Sequence, residues 1–282
     1  MVSSSRPRSV QFTLWVSLTL AVVLTYGAFF RSLWRAWWKD PEFSYGMLIP
    51  LVVAYLVWLR RGQGSKDGKT GWSPAVLMVI VGCTLQVVAS FSGTLLLSGV
   101  ALAITLMGSV GFLWGREYLG IMAPPISLLM VMVPVPSYLA GDLGWHLQVG
   151  ASTISSAFLE FLGVPVYHDG NLLILANYVL EVKQACSGSR SLFALLALAL
   201  VIGLSVERKW WIRVLLVAAA PVLSIGANIL RIVGTGLIAY RWGSLAANES
   251  LHSAWGILVF VVAVSGLLVF QRLLQWVSNE RA

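Results

Sequence analysis

The sequence predicts an all-helical protein that crosses a membrane many times, with about eight transmembrane helices. Hydrophobic residues make up 58% of the 282 residues and charged residues only 11%, against about 25% charged residues in ordinary soluble domains. Apolar runs of about 20 residues, the length that crosses a bilayer, recur along the chain. The predicted spans are 10–30, 46–59, 73–91, 94–113, 119–135, 189–206, 213–238 and 253–271.

The first apolar run is predicted to be a retained helix rather than a secretory signal peptide. Arg6 and Arg8 precede the run from Val10 to Phe30, as basic residues precede a signal peptide. The run has no small-residue cleavage site, however, and it is long enough to span. The whole chain, 1–282, is therefore predicted to be a single membrane domain without an appended soluble module.

The basic residues predict an orientation rather than a nucleic-acid partner. The net charge is +8, but the Lys and Arg residues lie mainly in short segments between apolar runs, where they act as topology signals. With the N-terminus inside, the cytoplasmic set is Arg6, Arg8, Arg60, Arg61, Lys66, Lys69, Arg116, Arg208, Lys209, Arg213, Arg272 and Arg281. The outer set is Arg31, Arg35, Lys39, Lys183, Arg190, Arg231 and Arg241. Twelve against seven of the 19 basic residues favours both termini inside.

The segment of about 136–187 is predicted to lie at the outer face, between the fifth and sixth spans. Two prolines at its start, Pro134 and Pro136, should end the fifth helix. Residues 142–162 have apolar positions at helical spacing interrupted by acidic residues, which favours an amphipathic helix on the membrane surface over a ninth span. The following GVPVYHDGNLLILANYVLEV predicts a short β-hairpin that leads to Cys186.

Cys186 is the first candidate for chemistry, because it precedes a predicted helix. Ser187, Gly188 and Ser189 supply small and capping residues at that helix start. The positive end of a helix dipole favours thiolate. Arg190, one helical turn away if the turn is helical, and Lys183 would add to that effect. The alternative for Cys186 is an inert cysteine at the membrane interface, whereas Cys83, inside an apolar run, is interpreted as a small buried hydrophobic residue.

Two further residues accompany the cysteine. Arg231 lies inside the apolar run of the seventh span, where an arginine is costly unless it is paired, hydrated or facing a cavity. Asn228, three residues earlier, is on the same helical face and could orient the guanidinium. The alternative is a structural or snorkelling arginine. His252 opens the eighth helix at the outer side, and a histidine exchanges protons near neutral pH.

These three residues are predicted to converge at the outer face from three helices. His146 and His168, in the outer segment, are weaker candidates for the same role as His252. No CxxC or HExxH pattern predicts a metal site, and no organic cofactor is implied.

Several blocks resemble the exosortase and archaeosortase family of membrane cysteine transpeptidases. The run QACSGSRSL is similar to the family's cysteine signature, with Ser189 where the family usually has a larger apolar residue. FSYGMLIPLVVAYLVWLRR resembles its N-terminal block, NILRI its arginine motif, and the segment of His252 its third motif. GVPVYHDGNLLIL resembles the stretch before the cysteine, so the likeness covers most of the chain from about residue 40.

The resemblance implies a cysteine endopeptidase or transpeptidase of the inner membrane, with its site toward the periplasm. Its substrate would be the C-terminal sorting tail of exported proteins, consisting of a Pro-Glu-Pro motif, a transmembrane helix and a basic end. By position, Cys186 would be the nucleophile, Arg231 the oxyanion stabiliser and His252 the general acid and base. Arg190 would be a secondary electrostatic helper, and the partners would be this tail and membrane lipid.

Three other readings remain open from the residues. A transporter or channel could line a pathway with Arg231, Asn228 and His252, although we find no internal repeat of the kind transporters often show. In a non-catalytic scaffold for polysaccharide or envelope assembly, Cys186, Arg231 and His252 could all be replaced with a loss of stability at most. A serine enzyme could use Ser187 or Ser189 in place of the cysteine.

Overall fold

The computed structural model describes residues 8–63, 72–176, 178–182, 188–207, 209–243 and 249–279, leaving out the side chains of 8–19, 41, 137–138, 249–252 and 279. The helices are α1 Arg8–Lys39, α2 Ile49–Arg60, α3 Ser73–Ser92, α4 Leu95–Ser127, α5 Ser137–Phe161, α6 Ser189–Ser205, α7 Trp210–Trp242 and α8 Glu249–Asn279. Short 3-10 helices cover Pro41–Met47 and Leu128–Met132, and the strands are β1 Val166–Asp169, β2 Leu172–Leu175 and β3 Tyr178–Glu181. The prediction of a mainly helical protein is confirmed.

Contacts within the chain divide it into two compact units, Met1–Pro134 and Val135–Ala282. The first unit contains α1 to α4, and the second contains α5 to α8 together with the three strands. The second unit therefore carries every residue that the sequence analysis proposed for chemistry. A single functional domain over the whole chain stays a prediction.

Helix α4 reverses its direction part-way along. Gly115 has φ 88° and ψ 177°, a non-helical conformation between two helical arms. A side chain added at Gly99 would collide with Val133, although the two residues would lie about 50 Å apart in one straight helix. The two arms therefore fold back on each other, as expected for the separate spans 94–113 and 119–135.

Five helical stretches of the described chain are long and apolar enough to cross a membrane. They are Glu42–Arg60, Ser73–Ser92, Leu95–Met132, Trp210–Trp242 and Ser253–Ser278. Helix α6, with 17 residues, is apolar but shorter. The structure thus supports a multi-pass membrane protein, while the number eight stays a prediction.

Small residues allow α3 and α4 to pack closely in the first unit. A Cβ at Gly108 would lie 2.8 Å from the backbone nitrogen of Val79, and one at Gly82 would collide with Thr105. The Thr105 hydroxyl also lies 2.8 Å from the hydroxyl of Tyr26 on α1. Close approach through small residues, with occasional polar contacts, is the usual means by which helices associate in a membrane.

Helix α5 begins five residues before the predicted start at 142 and has three different sides. Its buried side is formed by small and polar residues, including Ala151, Ser152 and Ser155. Leu143, Ile154, Phe158 and Phe161 are exposed along one flank, whereas Asp142, His146, Thr153 and Glu160 are exposed along the other. Such a division of the exposed surface fits a helix between lipid and water, and α5 is not among the candidate spans of the described chain.

The predicted hairpin is present, with a third strand added. Strand β1 pairs antiparallel with β2, and β2 pairs antiparallel with β3. Gly170, at φ +60°, forms the first turn, and the hydroxyl of Ser152 on α5 donates to its carbonyl at 2.9 Å. Leu173, Leu175 and Val182 are buried in one cluster with Ile232 and Val233 of α7. The sheet therefore packs against the second half of α7.

Helices α6, α7 and α8 form a second apolar cluster, which includes Leu195, Leu216 and Leu267. At the turn between α6 and α7, the buried carboxylate of Glu207 accepts 2.7 Å hydrogen bonds from the side-chain amides of Gln271 and Gln275 on α8. The guanidinium of Arg213 donates to the carbonyl of Glu207. These contacts connect α8 to the α6–α7 turn and so hold the three helices together at that end.

Candidate active site

The start of α6 is the first part of the candidate site. Helix α6 begins at Ser189, as predicted for the sixth span, and Gly188 precedes it with φ +83°. Because this conformation is left-handed, Gly188 is not part of the helix, and the regular turns of α6 start at Ser189. Cys186 and Lys183 fall in 183–187, outside the described residues.

Helix α7 contacts this helix start through two polar residues. Asn228 is buried, and a Cβ added at Gly188 would lie 3.0 Å from the Cβ and Cγ atoms of Asn228. One turn earlier, the fully buried Ser224 directs its hydroxyl toward the carbonyl of Gly188 at 3.5 Å. Asn228 was predicted as a partner of Arg231, and the structure gives it a contact with the residue two positions after Cys186.

Arg231 lies farther along the same helix and faces α8. A Cβ added at Gly256 would be 3.1 Å from the Cζ and Nη2 atoms of Arg231 and 3.2 Å from its Nε atom. The guanidinium therefore rests against the backbone of Gly256. The carbonyl of Arg231 accepts from the hydroxyl of Thr235 at 2.8 Å and from the indole nitrogen of Trp255 at 3.1 Å.

Only the backbone position of His252 is described. Its backbone belongs to the first turn of α8, and its side chain lies outside the described part of the structure. Gly256 follows four residues later, so the two residues share one helix face about 6 Å apart along the axis. The residue on which the Arg231 guanidinium rests is therefore one turn from His252.

A narrow cleft lies beside the start of α6, between α5, α6 and α7. It is lined by Leu147, Ala151, Gly188, Leu192, Ser224, Ile225 and Asn228. Most of its walls are apolar, and its polar groups come from the two residues of α7 that contact Gly188. The cleft thus forms a small, partly polar space beside Gly188, at the start of α6.

The other predicted residues lie at the edges of this arrangement. Arg190 is exposed on the first turn of α6. His146 is exposed on α5 and contacts the carbonyl of Asp142 at 2.8 Å, and His168 lies 3.5 Å from the hydroxyl of Thr153. Among the described residues, no group of three or more His, Cys, Asp or Glu side chains could hold a metal ion.

Three residues of the site were not anticipated from the sequence. Ser224 could have been found, because it is four residues before Asn228 on the same face of an apolar helix. Gly256 and Trp255 had no such signal, since their importance depends on which face of α8 meets Arg231.

Helix α7 contacts both α6, which begins three residues after the predicted nucleophile Cys186, and α8, whose first turn contains the predicted proton donor His252. A family profile described as transmembrane exosortase matches residues 37–269, which include the start of α6, all of α7 and the first turns of α8. The chain belongs to the transmembrane exosortase family. The match begins close to residue 40, where the resemblance was predicted to begin, and it covers Cys186, Arg231 and His252.

No curated protein and no solved structure matches this exosortase. The identification therefore depends on the family profile and on the cysteine, arginine and histidine segments that lie within it.

Proposed function

We propose that this exosortase is a membrane-embedded cysteine transpeptidase that cleaves the C-terminal sorting tail of exported proteins. The observation that carries the proposal is the position of α7. Its Asn228 contacts Gly188, two residues after Cys186, and its Arg231 rests on Gly256, one turn after His252. Helix α7 therefore carries Arg231 and also contacts Gly188 and Gly256, which are close in sequence to Cys186 and His252.

In the proposed reaction, the Cys186 thiolate attacks the carbonyl carbon of the scissile peptide bond and forms a tetrahedral oxyanion. Arg231 stabilises that negative charge, a task for which a fixed cation in a site of low dielectric is effective. His252 gives a proton to the leaving amine as the C–N bond breaks, which leaves a thioester on the cysteine. An amine acceptor or water then attacks the thioester and regenerates the thiol.

The remaining residues have supporting roles. Asn228 and Ser224 hold the start of α6, where Gly188 contacts both of them. The exposed Arg190, and Lys183 three residues before Cys186 in the sequence, would raise the local positive potential and favour the thiolate. The proposal requires no metal ion and no organic cofactor.

The proposed substrate is an exported protein whose tail has a Pro-Glu-Pro motif, a transmembrane helix and a basic end. In the proposed topology of eight spans, both termini are in the cytoplasm and the site is at the periplasmic side of the inner membrane. The exposed apolar flank of α5 would then contact lipid near the site.

The decisive experiment is co-expression with a protein that bears such a tail. We expect wild-type exosortase to shorten the tail protein, as seen by its mobility on a gel, and Cys186→Ala to leave it intact. Retained turnover in both Cys186→Ser and Cys186→Ala would indicate a serine enzyme, because the nucleophile would then be a residue other than 186. Equal shortening of the tail protein by wild type and Cys186→Ala would refute the cysteine mechanism, and a tail protein left intact by both would favour a transporter or a scaffold.

A further inference from the structure

We infer that Gly256 is a positioning residue for Arg231, with Trp255 beside it fixing the register between α7 and α8. This inference rests on the proposed function, in which the Arg231 guanidinium stabilises the oxyanion. The absence of a side chain at Gly256 determines where the guanidinium lies, and therefore where its positive charge acts.

The contact involves the planar group of the arginine rather than its aliphatic stem. A Cβ added at Gly256 would lie 3.1 or 3.2 Å from three guanidinium atoms, Cζ, Nη2 and Nε. Similar distances to three atoms of one plane mean that the group lies with its flat face toward the glycine. Nonbonded carbon contacts have their optimum at about 3.5–4.0 Å, so a methyl group would push the guanidinium away by a few tenths of an ångström.

The neighbouring residue keeps the two helices in this register. The indole nitrogen of Trp255 donates to the carbonyl of Arg231 at 3.1 Å. Its ring also lies against Gly234, where an added Cβ would be 2.8 Å from the Cε2 atom of the tryptophan. Because the indole bonds to the backbone of Arg231 itself, α8 cannot slide along α7 without losing this contact.

The register has a consequence for the proposed acid and base. His252 precedes Gly256 by one turn on the same face of α8. The same pair of contacts therefore fixes both the depth of the guanidinium and the height of His252 relative to it. A displacement of the charge by a fraction of an ångström matters because oxyanion stabilisation depends on the donor being in place before the reaction.

We expect Gly256→Ala to lower kcat for tail cleavage by roughly 10- to 100-fold, while KM stays within about twofold. The assay uses the full-length exosortase in proteoliposomes and a reporter protein with a Pro-Glu-Pro tail. Gly266→Ala is the matched control, because a Cβ there would be 3.4 Å from a flexible Leu223 side chain of α7, an ordinary contact. This control should retain wild-type kcat.

The same substitution in an Arg231→Lys background separates positioning from general damage to the fold. The lysine ammonium has no planar group to rest on Gly256, so adding Gly256→Ala should then change the remaining rate by about twofold at most. An equal fold-loss in both backgrounds, or wild-type kcat in Gly256→Ala, would overturn the inference.

Thermal unfolding of four of these proteins, the wild type, Gly256→Ala, Arg231→Lys and the double variant, gives a readout that is independent of the reaction. We expect Gly256→Ala to lower the melting temperature when residue 231 is arginine and to leave it nearly unchanged when residue 231 is lysine. A reporter tail that the wild type leaves intact counts against the proposed function alone. In that case the presence of this coupling supports the Gly256–Arg231 contact, and its absence refutes it.

Discussion

Gly188 occupies a backbone conformation and a packing position that each favour glycine. Its φ of +83° lies in the left-handed region, which costs other residues about 1–2 kcal/mol. Its α-carbon also faces Asn228 so closely that a Cβ would lie 3.0 Å from two carbon atoms of that side chain. Gly188 therefore controls how the chain that contains Cys186 enters α6.

We predict that Gly188→Ala lowers both stability and tail cleavage, because the backbone strain and the contact with Asn228 act together. The control is Gly226→Ala on α7, where an added Cβ would meet no other described part of the chain beyond its own helix backbone and alanine is favoured over glycine in a helix. Thermal unfolding in detergent and the cleavage rate provide the measurements. A Gly188→Ala protein with the melting temperature and rate of Gly226→Ala would contradict the prediction.

The site residues differ in how far the sequence alone identifies them. Arg231 could be predicted because an arginine within an apolar run is costly unless it is paired, hydrated or facing a cavity. Asn228 could be predicted because it shares the helix face of Arg231. The contact of Asn228 with Gly188 could not be predicted, since it depends on how α6 and α7 cross. Gly256 could not be predicted either, because one glycine in an apolar helix gives no sign of the side chain it contacts.

At the scale of elements, α4 illustrates what hydropathy leaves undetermined. The polar residues Arg116 and Glu117 separate the two predicted spans, so a break near this point could be expected. The break is made by Gly115, with φ 88° and ψ 177°, a combination found almost only in glycine. Hydropathy locates the boundary between two spans, whereas the backbone conformation of one residue makes the reversal.

We predict that Gly115→Ala destabilises the protein by about 1–3 kcal/mol, the usual cost of a residue held in a sparsely populated conformation. Gly120→Ala is the control, because Gly120 lies in the second arm and a Cβ added there would meet no other described part of the chain beyond its own helix backbone. The fraction of folded protein after heating in detergent, measured for both variants, tests this. Equal thermal resistance of the two variants would show that the backbone at position 115 accepts an alanine without strain, and would contradict the prediction.

The sheet and α5 show which structural features the sequence pattern predicts and which it does not. The His-Asp-Gly turn predicted the pairing of β1 with β2, which is present. The third strand was missed, because its residues continue the apolar run toward Cys186 without a turn signal as strong as Asp-Gly. The helical spacing in α5 was recognised, but only the structure shows that Leu143, Ile154 and Phe158 lie on an exposed flank and that serines occupy the buried side.

At the scale of the whole molecule, membrane passage follows from composition, whereas the number of spans and their direction depend on segments that hydropathy judges poorly. Helix α5 has 25 residues, enough to cross a bilayer, yet its exposed surface combines acidic residues with large apolar ones. If α5 crossed, every element after it would reverse its direction. The positions of α6, α7 and α8 relative to the two sides of the membrane therefore depend on this single helix.

We predict that Glu160→Cys, on the exposed polar flank of α5, reacts with a membrane-impermeant maleimide in intact spheroplasts. Gln63→Cys and Trp276→Cys, both exposed and placed at the cytoplasmic side by the charge count, should react only after permeabilisation. The host protein for all three carries Cys83→Ser and Cys186→Ser, so that the introduced thiol is the one labelled. Labelling of Trp276→Cys from outside while Gln63→Cys stays protected would mean that an odd number of segments separates them. The orientation of α6 to α8, and with it the periplasmic position of the site, would then be wrong.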